Sequence, residues 1–113
     1  MSLEVLADRA DGVRVLRVDG ELDAAVAPAL LEAVPSYVAG AGGVVLDLSE
    51  VTFFDSAGCR LVDALARTAA GAEVVLRVVA PPGCRARRVL ELTGLAEPLV
   101  DDELAVAVAA AAR

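Results

Sequence analysis

Apolar residues along the chain switch between two spacings, and each switch marks an element. Leu3 to Ala7 and Val13 to Val18 alternate in part, as half-buried strands do, and the Asp11-Gly12 pair between them signals a hairpin turn. After Gly20 the spacing becomes helical: Val26, Leu30, Val34 and Val38 recur every fourth residue, with Pro28 acceptable in a first turn. Pro35 falls inside that pattern and is expected to end or kink the helix near Val34. Gly40, Gly42 and Gly43 mark a loop. Val44 to Leu48 is then a continuous apolar run of the kind found in a buried parallel strand.

From Ser56 the helical period returns, with Leu61, Val62, Leu65, Ala66 and Ala69 on one stripe and Arg60, Asp63 and Arg67 on the other. Gly71 stops this helix, and Glu73 to Val79 is a Val-rich strand ended by Pro81-Pro82, which cannot donate to a ladder. A third helix is expected from about Cys84 to Thr93, with Gly94 as its C-terminal residue. Leu99-Val100 forms a short strand, and Asp101 and Asp102 are candidates to cap a last helix over Glu103 to Ala112. Strands alternating with helices argue for an α/β fold. The expectation is one domain over residues 1–113, with a mixed four- to five-stranded sheet, an opening antiparallel hairpin and about four flanking helices.

Composition narrows what such a domain can do. At 113 residues and 58% hydrophobic, the chain has material for one continuous core, built from small aliphatic side chains since there is no Trp, one Tyr and two Phe. A formal net charge of −7 repels phosphate backbones and anionic headgroups and favours basic partner surfaces, which argues against nucleic acid. The local basic group Arg85, Arg87 and Arg88 reads as a solvated helix face. The longest apolar run, Leu104 to Ala112, is half of what a bilayer requires, and Glu4, Asp8 and Asp11 interrupt any signal-like stretch, so a cytoplasmic setting without membrane contact is expected. Histidine is absent, which removes the common general base and zinc ligand. Cys59 and Cys84 form no CxxC and read as small core residues, so no metal or cofactor is signalled.

The best candidate site is the segment from Asp47 to Gly58, ending Phe53-Phe54-Asp55-Ser56-Ala57-Gly58, expected as a loop at the carboxyl end of the third strand. Ser56 falls at or near the start of the second helix, where unpaired N–H groups and the helix dipole favour a negative charge. Read locally, Ser56 is an N-cap, and Phe53 and Phe54 are core and staple residues. A second cluster, Asp19-Gly20-Glu21-Leu22-Asp23, should reach the same end of the sheet, with Asp23 as the N-cap of the first helix and Glu21 as an exposed acid. No phosphate-cradling glycine loop occurs, so the chain has no evident means of phosphorylating itself.

Three separated motifs, Gly20-Glu21-Leu22-Asp23, the run from Val51 to Gly58 ending Asp-Ser-Ala-Gly, and Leu92-Thr93-Gly94-Leu95, together resemble the STAS-domain anti-sigma factor antagonists over essentially the whole chain. The resemblance implies a regulatory binding protein and not an enzyme. In that family the unphosphorylated antagonist binds an anti-sigma factor serine kinase and frees a sigma factor; phosphorylation switches binding off, and a serine phosphatase resets it. Carried over, the phosphorylated residue is Ser56, and the partner-binding residues are Glu21, Asp23, Asp55, Ser56, Ala57, Gly58 and Arg60. Ala57 stands where a second Ser or Thr is common, and Cys59-Arg60 replaces a typical Leu-Gly, placing a cation beside the site. Two other readings compete. One is a STAS adaptor of a transporter ATPase or stressosome-like complex that works without phosphorylation. The other is a small enzyme or nucleotide-binding module using Asp23, Asp47 and Asp55 with a divalent ion.

Overall fold

The computed structural model describes residues 2–5, 12–97 and 99–112, with side chains described from residue 12 onward. Five strands form one sheet in sequential order: β1 (Ser2–Val5), β2 (Val13–Leu22), β3 (Gly43–Phe54), β4 (Leu76–Val79) and β5 (Val100–Asp101). Four helices alternate with them: α1 (Ala27–Val38), α2 (Ser56–Gly71), α3 (Arg85–Leu92) and α4 (Leu104–Ala111).

The four strands β2 to β5 are all parallel, and this corrects the expected sheet built on an opening hairpin. The short β1 lies antiparallel on the outer edge of β2, with Val5 opposite Leu16. A two-residue Asp11-Gly12 turn would instead pair Ala10 with Val13 and hence Val5 with Val18, two places away. The observed register is therefore not the one that turn sets, and residues 6–11 lie outside the described residues.

Sequential order in a parallel sheet has a consequence for layering. Crossovers of one hand that always step in the same direction put their helices on the same face, and the core divides accordingly. Leu16, Val18, Val44, Leu46, Leu48 and Val78 face the cluster that also holds residues of α1, α2 and α3. Val13, Val15, Val45 and Val79 point to the opposite face, where Ala107, Val108 and Ala111 of α4 cover them. The two sets alternate along each strand, as the pleat requires.

Several boundaries differ from the sequence reading. Helix α1 buries Ala27, Leu30, Val34 and Val38 as its stripe, but it runs through Pro35 to Val38 instead of ending at Val34. Pro35 is solvent-facing, and the buried Val34 and Val38 on either side of it hold the last turn to the sheet. Arg14 on β2 supplies further donors to that end, reaching the carbonyl oxygens of Tyr37 at 3.0 Å and Ala39 at 2.9 Å. Strand β4 starts at Leu76, three residues later than expected, because Glu73 takes a positive φ and the chain turns there.

At the carboxyl end of the chain, Asp101 and Asp102 do not cap α4, whose N-cap is Glu103 without a side-chain hydrogen bond. Both aspartates are recruited by arginines. Arg77 donates two bonds to Asp101, at 2.8 and 2.9 Å, and Arg87 donates to Asp102 at 2.6 Å and to the Ala80 carbonyl at 2.9 Å. The carboxylate hydrogen bonds push both guanidinium pKa values above their ordinary range. Arg87 is thus a structural cation, not part of a solvated face, while Arg85 and Arg88 are exposed.

Candidate functional site

The segment expected as a loop after the third strand is mostly strand. Strand β3 continues to Phe54, leaving Asp55 alone between β3 and α2. It can extend because β2 extends beside it: Glu50, Val51, Phe53 and Phe54 lie opposite Asp19, Gly20, Glu21 and Leu22. Two register shifts occur on the way, between Arg17 and Asp19 and between Gly20 and Glu21, and at each β3 holds one residue more than β2. Asp47 stabilises the first shift: its Oδ1 accepts from the Ser49 amide at 3.0 Å and the Ser49 hydroxyl at 2.7 Å. The second shift falls at Gly20, whose φ of 98° is a backbone conformation that glycine adopts without steric cost.

The paired strands therefore end level. Leu22 is opposite Phe54, and the next residue on each strand is an aspartate. Both aspartates turn back onto the chain that follows. Asp55 is the N-cap of α2, its Oδ1 accepting from the Ala57 amide at 2.9 Å. Asp23 does the same one turn ahead of α1: its Oδ1 accepts from the amides of Ala25 at 3.0 Å and Val26 at 3.2 Å. The formal N-cap of α1 is Val26, so Asp23 opens the preceding turn instead of capping the helix directly.

With Asp55 in the capping role, Ser56 is not the N-cap that a local reading suggests. It is the first residue of α2, exposed, and its hydroxyl has no hydrogen-bond partner among the described residues. Arg60 follows one helical turn later on the same side of α2, exposed and without an ion-pair partner among the described residues. Glu21 is exposed and Asp23 half-buried.

The remaining motif residues face inward. Ala57 is 2% exposed and Gly58 is buried, so both shape the helix start without offering side chains to a partner. Gly58 has a definite packing role. A Cβ at that position would stand 2.5 to 2.8 Å from three carbons of the Phe54 ring, so the ring is seated directly against the backbone of α2. Phe54 is accordingly core, whereas Phe53 is 47% exposed and not the core or staple residue expected. The Leu92-to-Leu95 motif forms the end of α3: Thr93 donates to the Val89 carbonyl at 2.9 Å, and its hydroxyl lies 3.9 Å from Cys59 Sγ. Cys59 and Cys84 are half-buried, packed at the margin of the main core and not within it.

The carboxylates do not converge as a cation site would need. Asp47 is only 4% exposed and lies 3.8 Å from Arg17 Nε, and no group of three or more Asp, Glu, Cys or His suited to a metal occurs among the described residues. No helix among the described residues is long and apolar enough to cross a membrane.

Comparison with known proteins agrees with this architecture. The STAS domain model matches residues 4–110, and the chain belongs to that family. It is 38% identical over 95 residues to the anti-sigma-F factor antagonist RsfB of Mycobacterium tuberculosis, an alignment covering 83% of this chain and 76% of that protein. The crystal structure of an anti-sigma factor antagonist from Mycobacterium paratuberculosis superposes with a TM-score of 0.85 at 36% identity, covering 99% of this chain and 96% of the other. The unphosphorylated form of the Bacillus antagonist SpoIIAA shares the fold, with a TM-score of 0.74 at 21% identity and coverage of 95% and 91%. These bacterial relatives are regulatory binding proteins rather than enzymes.

Proposed function

We propose that this chain is an anti-sigma factor antagonist in which phosphorylation of Ser56 switches partner binding off. In the unphosphorylated state it binds an anti-sigma factor serine kinase in the cytoplasm and frees a sigma factor. A serine phosphatase restores the binding form. Glu21, Asp23, Asp55, Ser56 and Arg60 form the contact surface, and Ala57 and Gly58 set the shape of the helix start beneath it.

One observation carries the reading: the Ser56 hydroxyl is exposed and uncommitted because Asp55 does the capping. A serine that caps its own helix would have to give up that bond to be phosphorylated. Ser56 would not. A phosphate there adds about −1.5 to −2 charges at neutral pH. The amino end of α2 tolerates that charge, so the domain stays folded while the field at its docking surface changes. The same charge stands beside Asp55, Asp23 and Glu21, where it repels an acidic partner surface and alters every contact with a basic one.

The test is peptide mass spectrometry after incubation with ATP and the serine kinases of the same cell extract. A single phosphate on Ser56, absent from Ser56→Ala, is expected. No phosphorylation, together with a stable complex with a transporter ATPase, would replace the switch with the adaptor reading.

A further inference from the structure

Eight arginines on α2, α3 and the strands separate into two groups by what they touch. Arg14, Arg17, Arg67, Arg77 and Arg87 lie against the chain's own carbonyls or carboxylates. Arg60 on α2, and Arg85 and Arg88 on the first turns of α3, are exposed and have no such partner among the described residues, and of these Arg85 and Arg88 stand together, three residues apart. In a chain of net charge −7, with 17 acidic residues against 10 basic ones, two unpaired guanidiniums together are a local reversal of sign.

They also share a groove. A concavity of about 580 Å³ is lined by Arg85, Arg88, Phe53, Phe54, Cys84 and Val89. Phe53 is the one exposed aromatic residue among those described, and burying even half of such a ring on a partner is a substantial gain. The spacing of Arg85 and Arg88, three residues apart on a helix, puts both heads on one side. Guanidinium forks match carboxylates in geometry as well as charge. An apolar floor with two arginines at its wall selects for one ligand chemistry.

We infer that this groove docks an acidic segment of a protein partner, one that presents apolar side chains to Phe53 and Val89 and carboxylates to Arg85 and Arg88. This surface adjoins Ser56 along the chain through Phe53-Phe54-Asp55, but its chemistry does not depend on phosphorylation. The acidic rim of Glu21 and Asp23 favours basic partner groups; the groove favours acidic ones. A partner that spans both must carry charges of both signs in a fixed order, which is a source of specificity. The overall negative charge of the chain does not prevent this, because at ordinary ionic strength charges beyond about 10 Å are largely screened and the two arginines dominate their own groove.

The probe is a short fluorescein-labelled peptide of alternating Glu and Leu, with Lys/Leu and Glu/Ser peptides as controls. It is read by fluorescence polarisation and by amide chemical-shift mapping on the full chain. Saturable binding of the Glu/Leu peptide is expected, with shifts centred on Phe53 and on residues 83–89. The Arg85→Glu/Arg88→Glu variant should lose about tenfold or more in affinity, equivalent to roughly 1.4 kcal/mol, and Phe53→Ser should weaken it as well. Arg67→Glu, a charge reversal elsewhere on the surface, should leave binding within about twofold, as a rim charge far from the contact does. Equal binding of the Lys/Leu or Glu/Ser peptide, unchanged affinity in the double charge reversal, absence of saturable binding, or shifts elsewhere would each overturn the inference. None of these outcomes bears on whether Ser56 is phosphorylated, which mass spectrometry reads separately.

Discussion

Leu22 and Phe54 stand opposite one another at the carboxyl ends of β2 and β3, and this pairing makes neighbours of Asp23 and Asp55. Thirty-two positions separate the two aspartates in sequence, yet each is the first residue beyond a strand end and each turns its Oδ1 onto the amides that follow. The site is thus two similar turns side by side on adjacent parallel strands, with an exposed serine at the start of one of them.

Because Asp55 holds the start of α2, its removal should cost stability without disturbing the sheet. Asp55→Ala is expected to destabilise the domain by about 1 kcal/mol, and Asp55→Asn, which keeps the acceptor, by less. Urea denaturation followed by circular dichroism checks this. Equal losses in the two variants would show that charge and not the amide bond is what matters.

The seat of Phe54 against Gly58 makes a sharper claim. Gly58→Ala forces a Cβ into the aromatic ring and should cost about 1 to 3 kcal/mol. Phe54→Leu in the same chain removes the ring atoms and should relieve part of that cost, so the double variant should be more stable than the sum of the single losses allows. Additive losses would mean that the glycine is required for something other than the ring.

Pro35 offers a test in the stabilising direction. It occupies an exposed interior position of α1, where proline removes a backbone hydrogen bond and crowds the preceding turn at a cost of up to about 3 kcal/mol. Pro35→Ala should therefore raise the midpoint of urea denaturation. A lower midpoint would indicate that the packing of Val34 and Val38 depends on the bend that proline imposes.

The edge of the sheet depends on Arg77 and Asp101. Their two hydrogen bonds hold the two-residue β5 to β4, and both side chains are largely shielded from water. Asp101→Ala should destabilise the domain by about 1 to 3 kcal/mol and raise amide exchange selectively in β5. Uniform exchange across the sheet would refute that assignment.

Much of this arrangement is legible in the sequence, for identifiable reasons. The stripe Leu30, Val34, Val38 and the run Val44 to Leu48 reflect burial directly, so their elements are recovered from spacing alone. The extension of β3 from Ser49 to Phe54 is not, because its polar positions resemble a loop and only the neighbouring β2 supplies ladder partners. The roles of Asp101, Asp102 and Arg87 are hidden for the same reason: a capping residue and a salt-bridge partner look identical until the fold brings Arg77 and Arg87 alongside. Phe53 and Phe54 show the limit most plainly. The sequence presents an adjacent pair, and a strand must send adjacent residues to different environments, here one to the core and one to solvent.

Switching at Ser56 is tested most directly by comparing two forms of the protein. The unmodified chain and the same chain carrying phosphoserine at position 56 are titrated against the purified anti-sigma factor kinase encoded by the same genome. A phosphorylation switch at Ser56 predicts tight binding of the unmodified form and a loss of at least about tenfold on phosphorylation, or roughly 1.4 kcal/mol, with unchanged circular dichroism. Equal affinity of the two forms would contradict it and leave Ser56 as an exposed helix residue without a switching role.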